Sequence, residues 1–188
     1  MKIPDVDIID LPTDNKEYIR QTAGIVLRGF KGYSPSWQDM ESALEEVNES
    51  LKAEHISRIA VDKQGKVLGW IGGIRQYGGY SWELHPLVVA PEYRGRGIGR
   101  VLVKDLEEQV KKRGGMNLYL GTDDEMGRTS LTGQDLYPDV LKNLANIKNT
   151  NGHAFEFYQK AGFILVGVIP DANGPGKPDI IMAKRLGT

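Results

Sequence analysis

The hydrophobic positions of the chain alternate between the spacing of strands and the spacing of amphipathic helices. The segment from Val6 to Leu11 is rich in Ile and Val, and it predicts a first strand because Pro12 and polar residues follow it. Apolar residues then recur every three or four positions in two segments, one after Asp14, its expected N-cap, and one from Trp37 to Lys52. Two amphipathic helices are therefore predicted next.

The middle of the chain begins with the pattern of a hairpin. Strand-like segments, Ile56 to Asp62 and Val67 to Tyr77, flank the turn sequence Lys63-Gln64-Gly65-Lys66 and predict an antiparallel pair. Gly72-Gly73 predicts a bend or bulge in the second strand of this pair.

The stretch from Trp82 to Arg100, WELHPLVVAPEYRGRGIGR, has the pattern of a strand, a glycine-rich turn and the start of a helix. The helix begins near Ile98 and ends at Gly114-Gly115. Met116 to Leu120 then predicts a strand parallel to the one that opens this stretch, so that the three elements form a β-α-β unit.

The C-terminal third begins with a long polar stretch, Gly121 to Asp135, which suggests a binding loop. Two helices, Leu136 to Ile147 and Ala154 to Ala161, follow it. Phe163 to Ile169 and Asp179 to Lys184 are the last predicted strands.

Composition restricts the class of protein. With 188 residues, 40% of them apolar, and a net charge of -1, the chain is expected to form one domain over residues 1–188, with no general affinity for nucleic acid or membranes. The absence of cysteine excludes disulfides and thiolate chemistry, and the three histidines lack the spacing of metal ligands, so no metal is expected. An N-terminus without a signal peptide predicts a cytoplasmic location.

The glycine-rich turn has the composition of an anion site. Glycines let the backbone approach a ligand closely, and the first amides of the following helix point outward unpaired. Arginines, which match phosphate oxygens in pairs, alternate with these glycines in the sequence Arg94-Gly95-Arg96-Gly97-Ile98-Gly99-Arg100. The turn lacks the third glycine of the dinucleotide-binding fingerprint, and the chain contains no P-loop sequence. Binding of a dinucleotide or of a nucleoside triphosphate is therefore less well supported. A solvent-exposed turn without a ligand is the remaining alternative.

The turn sequence Arg94-Gly95-Arg96-Gly97-Ile98-Gly99 resembles the R/Q-x-x-G-x-G/A signature of the GNAT superfamily of N-acetyltransferases. The resemblance implies the GNAT fold, an α/β (α+β) class with a mixed, mostly antiparallel central sheet, a splayed parallel strand pair and helices on both faces. It also implies acetyl-CoA as co-substrate, with its pyrophosphate on the turn and its thioester and pantetheine beside Leu87, Val88 and Val89.

Four further segments resemble the aminoglycoside 6'-N-acetyltransferases of Gram-positive bacteria, the chromosomal enterococcal type in particular. The segments are WELHPLVV, YLGTDDE, EFYQKAGF and VGVIPDANGPGKPDIIMAK, and the resemblance runs from about Val61 to Lys184. It implies transfer of an acetyl group to the 6'-amine of a polycationic aminoglycoside, and a homodimer.

The expected reaction, attack of an amine on a thioester, needs a proton acceptor, an oxyanion donor and a proton for the leaving thiolate. Glu83, near the start of the opening strand, is the expected acceptor of the proton, directly or through water. The backbone N–H of Leu87, after Pro86, is the expected oxyanion donor. The resemblance gives Tyr158 the role of general acid, although a Tyr in this position could equally belong to the core.

A polycationic acceptor should bind among carboxylates, and we expect Asp123, Asp124 and Glu125 to supply them, with His85 positioning the acceptor. The resemblance also places aromatic residues of the turn between the first two helices against the acceptor, namely Phe30, Tyr33 and Trp37. The second helix has an acidic face that carries Asp39, Glu41, Glu45, Glu46 and Glu49. This face is interpreted as a solvated surface, with the attraction of a cation as the alternative.

Two other functions remain open from the sequence. The same chemistry could act on a polyamine, a peptide or a protein amine, since a fold does not fix its substrate. Alternatively, the chain could be a non-catalytic module that binds acyl-CoA. Assays of acetyl transfer to different amines discriminate between these readings.

Overall fold

The structure is a computed structural model that describes residues 5–32 and 36–187, so the predicted acceptor residue Tyr33 lies outside the described residues. Seven strands and five α-helices occur in these residues. They are β1 (Asp7–Asp10), α1 (Lys16–Gly29), α2 (Met40–Glu49), β2 (His55–Val61), β3 (Val67–Gln76), β4 (Ser81–Val89), α3 (Ile98–Lys112), β5 (Asn117–Asp123), α4 (Val140–Ala145), α5 (Phe155–Lys160), β6 (Ile164–Ile169) and β7 (Asp179–Arg185).

These elements divide into two structural units. Unit one is Met1–Met116 with Leu186–Thr188, and unit two is Asn117–Arg185. Within unit one the strand order is β1-β2-β3-β4, and within unit two it is β5-β7-β6. The strand pairs inside each unit are antiparallel. The helices and mostly antiparallel strands agree with the predicted fold class.

Unit one packs helices on both faces of its strands. Trp70 of β3 is fully buried in a core with residues of α1 and α2. At the preceding position, a Cβ on Gly69 would lie 3.0 Å from Leu102 of α3. Because neighbouring residues of a strand point to opposite faces, α3 lies on the other side of β3 from α1 and α2.

The N-terminal helices begin one to three residues later than predicted. The N-cap of α1 is Asn15 rather than Asp14, because the Asn15 side chain accepts a hydrogen bond from the Tyr18 N–H at 3.0 Å. Helix α2 begins at Met40, after an Asp39 capping box with Ser42. Both caps satisfy amides that the first helical turn leaves without partners.

A half-buried charge cluster connects β1, β2 and α3. The Arg58 guanidinium binds Asp105 through Nε at 2.7 Å and Nη2 at 3.1 Å, and it donates to the Ile8 carbonyl at 3.1 Å. Asp10 lies 2.7 Å from Arg58 Nη1. The Arg58 side chain is only 10% exposed, so its charge depends on these partners.

Replacement of Asp105 by alanine should therefore destabilise the protein by about 2 kcal/mol, less than the usual cost of breaking a buried pair because Asp10 and the Ile8 carbonyl still bind Arg58. Chemical denaturation of both proteins measures this loss. Glu108→Ala removes an exposed acid from the same helix and should change stability by less than about 0.5 kcal/mol. Equal stabilities of Asp105→Ala and Glu108→Ala would contradict the proposed contribution of the cluster.

Unit two differs from the sequence prediction in its loop and helices. Strand β5 continues to Asp123, so the loop begins after that residue rather than at Gly121. Its first helix is shorter than predicted, because a 3-10 turn at Tyr137–Asp139 precedes α4. Strand β7 pairs with β5 and β6, and its inward residues Ile180 and Met182 are fully buried.

Among the residues that the structure describes, no helix is both long and apolar enough to cross a membrane.

Candidate active site

Strand β4 carries three of the predicted site residues at alternate positions. Glu83, His85 and Leu87 are partly exposed, whereas the residues between them are buried. Glu83 lies across from Ile74 of β3, and the Gln76 Nε2 group is 3.5 Å from its Oε2 atom. The half-buried carboxylate can therefore accept a proton and still reach solvent.

Between His85 and Leu87 the ladder with β3 is irregular. The His85–Pro86 peptide bond is cis, and the β3–β4 register shifts between Ile71 and Gly73, which confirms the predicted bulge at Gly72-Gly73. A Cβ on Gly72 would lie 2.1 Å from the His85 carbonyl oxygen, so only glycine fits there. Leu87 lies across from Ile71 directly after this irregularity. The role of its N–H as an oxyanion donor stays a prediction.

The predicted acceptor residues of unit one form a continuous wall. The ring centroids of Phe30 and Trp37 are 4.6 Å apart, and those of Trp37 and His85 are 6.1 Å apart. The structure thus brings together residues from the α1–α2 connection and from β4. We call Phe30, Trp37 and His85 the aromatic wall.

Glu46 is a member of this site that the sequence interpretation missed, since it was assigned to the solvated face of α2. Its Oε1 atom is 3.5 Å from His85 Nε2, and its side chain is 24% exposed. A hydrogen bond from His85 is the main cause that lowers the pKa of Glu46, against the opposing effect of burial, and a hydrogen bond from Trp37 acts in the same direction. The carboxylate is therefore ionised and bound to two residues of the aromatic wall.

The glycine-rich turn has the geometry of an anion site. Gly95 and Gly97 have φ values of 74° and 92°, in the left-handed region that favours glycine. Gly97 is the N-cap of the 15-residue helix α3, and this cap supplies no side-chain hydrogen bond. The amides of the first turn and the helix dipole therefore face the space in front of the helix, where they fit a phosphate group.

The arginines of this turn do not act alike. Arg94, which was predicted to match phosphate oxygens, instead donates from Nη2 to the Gly29 carbonyl at 2.8 Å and from Nε to the Val89 carbonyl at 3.2 Å. Arg96 donates to the Glu92 carbonyl at 3.0 Å. Arg100 is exposed on the first turn of α3. Arg94 thus ties the turn to the C-terminus of α1 rather than only presenting charge.

The three acidic residues predicted to bind the acceptor differ in their exposure to solvent within unit two. Asp123 is exposed at the end of β5, where Asn173 donates to its side chain, and Glu125 is half-buried. Asp124 is only 1% exposed. The three residues were predicted to line one groove, and their burial shows that they cannot contribute equally to it.

Asp124 organises the loop that follows β5. Its carboxylate accepts from the Arg128 N–H at 2.6 Å, from the Thr129 N–H at 2.9 Å, and from the hydroxyls of Thr129 and Thr132. Burial alone would raise the pKa of Asp124, but the hydrogen bonds from Thr132, Arg128 and Thr129 outweigh it and lower that pKa. We therefore leave Asp124 out of the residues proposed to touch the acceptor.

Tyr158 lies in α5 with its ring packed edge-on against Phe157 and Phe163, at centroid distances of 5.1 and 5.7 Å. Burial strongly raises the pKa of its phenol, so the group is protonated at neutral pH. A protonated phenol is the form that a general acid needs, but the same packing also gives Tyr158 a core position.

Comparisons with known proteins agree with this geometry. Residues 26–131 match the model of the Acetyltransferase (GNAT) family. An aminoglycoside 6'-N-acetyltransferase crystallised with coenzyme A is 40% identical, with a TM-score of 0.88 over 97% of this chain and 98% of that chain. The aminoglycoside 6'-N-acetyltransferase from Enterococcus faecium is 41% identical, with the same TM-score and coverage.

A third crystal structure, of an aminoglycoside 6'-acetyltransferase type Ii, is 36% identical with a TM-score of 0.75, over 97% of this chain and 98% of that chain. No curated protein sequence matches the chain. The family match covers more than half of the chain, and the three structures exceed 30% identity over nearly all of it. The chain therefore belongs to the GNAT family of acetyltransferases.

Proposed function

We propose that the protein transfers the acetyl group of acetyl-CoA to the 6'-amine of aminoglycosides. The observation that carries this proposal is the identity of 40 and 41%, over 97% of the chain, with two aminoglycoside 6'-N-acetyltransferases. The geometry of unit one supports it, because β4 presents a carboxylate beside an aromatic wall and the turn after β4 forms an anion site.

Acetyl-CoA supplies an acyl group already activated as a thioester, and its pyrophosphate fits the N-terminus of α3. The left-handed Gly97 exposes the amides of the first helical turn, and Arg96 and Arg100 add positive charge near them. Arg94 fixes the turn through the carbonyls of Gly29 and Val89. The residues of this turn therefore fit an anionic co-substrate.

The proposed chemistry assigns one task to each of three residues. Glu83 takes the proton of the attacking amine, directly or through water, and the Leu87 N–H stabilises the developing oxyanion. Burial keeps the phenol of Tyr158 protonated, and this phenol donates the proton to the departing thiolate. A carboxylate, an amide and a phenol thus cover the three requirements of acyl transfer to an amine.

The aromatic wall is the proposed recognition surface of unit one for the acceptor, and Asp123 and Glu125 are the proposed acceptor residues of unit two. Phe30, Trp37 and His85 offer flat apolar faces to the sugar rings, while Asp123 and Glu125 offer negative charge to the ammonium groups. Because the acceptor is a polycation, attraction between these carboxylates and its ammonium groups should contribute to binding, and this contribution should weaken as the salt concentration rises.

Three further statements belong to the proposal. We propose that the two units act as one GNAT domain over residues 1–188, and that the protein works as a homodimer in the cytoplasm, with neither nucleic acid nor membrane as partner. The homodimer is implied by the family resemblance. Size-exclusion chromatography with light scattering measures the assembly directly.

Release of free CoA thiol tests the proposed function. The purified protein should release thiol from acetyl-CoA with kanamycin or neamine, and not with a matched aminoglycoside that carries a hydroxyl in place of the 6'-amine, because an alcohol at this position offers no nucleophilic nitrogen. Mass spectrometry of the product should show one added acetyl group. Equal rates with the hydroxyl analogue would contradict the 6'-position.

The same assay decides between the alternatives. A strong preference for spermidine or for a peptide amine would favour a GNAT acetyltransferase with another acceptor. Tight CoA binding without thiol release on any amine would favour a non-catalytic acyl-CoA-binding module.

A further inference from the structure

Glu46 makes a polar contact that joins helix α2 to strand β4. It belongs to α2, and its Oε1 atom lies 3.5 Å from Nε2 of His85 on β4. Trp37, in the connection before α2, also hydrogen-bonds to the same carboxylate. His85 and Trp37 are themselves in ring contact at 6.1 Å. One carboxylate therefore contacts both members of this ring pair.

The environment of Glu46 differs from that of the other acids on α2. Its side chain is 24% exposed, whereas its neighbour Glu45 is exposed on the outer face. Glu46 also lines a surface cleft with Glu49, His55 and His85. A carboxylate that gives up much of its hydration is stable only when donors replace the lost water, and His85 and Trp37 are such donors.

Glu46 adds polar contacts to rings that also pack against other residues. Trp37 is partly buried against the hydrophobic core of unit one and its ring centroid lies 4.6 Å from that of Phe30, whereas the His85 side chain is 41% exposed. Packing determines where a ring lies, and a directional contact with its nitrogen also determines which edge of the ring points outward. Contacts of both rings with one carboxylate therefore restrict their orientation before the acceptor binds.

We propose that Glu46 is a positioning residue, which holds the His85 imidazole and the Trp37 indole in the orientation in which they line the acceptor site. The inference rests on the proposed function for the identity of the acceptor, because only then are these rings part of the recognition surface. This role does not require Glu46 to touch the transferred acetyl group or the attacking amine. Its effect is expected on the use of the acceptor and not on the use of acetyl-CoA.

Steady-state kinetics of Glu46→Ala test this role. The kcat/KM for kanamycin should fall about tenfold, which is the size of a coupling between contacting side chains, and mostly through a higher KM. The KM for acetyl-CoA should remain within about twofold of the original value, because a positioning role leaves the turn before α3 untouched. An unchanged kcat/KM for kanamycin would overturn the proposal.

Two matched variants separate positioning from charge. Glu46→Gln removes the charge but keeps an amide oxygen that accepts from both rings, so it should recover most of the activity lost in Glu46→Ala. Glu45→Ala removes the neighbouring exposed charge and should leave kcat/KM unchanged. If Glu46→Gln loses as much as Glu46→Ala, the carboxylate acts through its charge and the positioning role is wrong.

A double-mutant cycle tests whether Glu46 acts through His85. In a His85→Ala background, Glu46→Ala should cost less than about twofold in kcat/KM, because its main partner is already absent. Fully additive losses would contradict the inference. Thermal melts of all variants identify any that fail to fold, and Glu46→Gln, which preserves the shape of the side chain, carries the conclusion in that case.

A measurement that does not depend on catalysis, the NMR signals of the His85 imidazole, tests the positioning role separately from the proposed function. The chain has three histidines, so the imidazole proton signals of His85 can be assigned by comparison with His85→Gln. The Trp37 ring shifts these signals, and they should move in Glu46→Ala but not in Glu45→Ala. Unmoved signals would overturn the positioning role, whereas absence of aminoglycoside acetylation in the unaltered protein would overturn only the proposed function.

Discussion

Replacement of Glu83 by glutamine should reduce kcat/KM for the aminoglycoside by at least about 100-fold, because a positioned general base typically contributes factors of 10² to 10⁴. Glutamine has the same shape as glutamate and can keep the contact with Gln76, so the loss reports the missing proton acceptor. The loss should appear mainly in kcat, since the amine can still bind but remains protonated. Steady-state kinetics with saturating acetyl-CoA measure it.

Calorimetric titration with CoA provides the control for this variant. The affinity of Glu83→Gln for CoA should equal that of the unaltered protein, because the proposed pyrophosphate site is the turn before α3 and not the start of β4. Glu45→Gln, which removes one exposed acid elsewhere in unit one, should keep full activity. A kcat/KM for Glu83→Gln within about threefold of the original would exclude Glu83 as general base and direct attention to a bound water or another group.

Replacement of Gly72 by alanine should destabilise the protein by about 3 kcal/mol and abolish acetyl transfer, because the new methyl group would lie 2.1 Å from the His85 carbonyl oxygen. That oxygen belongs to the backbone and cannot move aside as a flexible side chain can. Relief of the clash must separate β3 from β4 between His85 and Leu87, where two predicted site residues lie. Chemical denaturation and the thiol-release assay measure the two effects.

Gly167→Ala is the matched control for Gly72→Ala. Gly167 also lies in a strand next to a register shift, but a Cβ there would meet only Ile181 atoms at 3.8 and 4.0 Å, which is ordinary contact. This variant should keep its stability within about 1 kcal/mol and its activity. Similar behaviour of the two alanine variants would show that strand glycines in general, and not the close approach at His85, determine the outcome.

Local patterns allowed much of the fold to be predicted. The hairpin of β2 and β3, the bulge at Gly72-Gly73 and the strand, turn and helix of β4 and α3 all follow from the spacing of apolar residues and from glycine positions. Helix starts were less accurate, because Asp14 and Asn15 are both suitable caps and only the backbone geometry selects Asn15.

Candidate site residues that lie together on one strand could be proposed from the sequence. Residues that join the site through contacts distant in sequence could not. Glu46 was interpreted as part of a solvated face, although it lies three residues after the buried Ala43 and thus on the border of the apolar stripe of α2. That border position was the one available signal. The contact with His85 spans 39 positions of sequence and has no local signature.

Asp124 and Arg94 have a suitable residue type but also bind partners within the protein, so their predicted contacts with ligands stay predictions. The Asp124 carboxylate is occupied by donors of its own loop, and the Arg94 guanidinium is occupied by backbone carbonyls. A charged side chain in a motif can serve the fold as well as the ligand, and sequence alone does not separate these uses.

The hydrogen bond from Arg94 to the Gly29 carbonyl joins the glycine-rich turn to the residue immediately before Phe30. A mechanical path of three residues thus runs from the phosphate side of unit one to its aromatic wall. A substitution at position 94 should therefore change two properties at once, the affinity for the cofactor and the preference for the acceptor. In a screen for drug resistance that varies this turn, the two changes should be selected together.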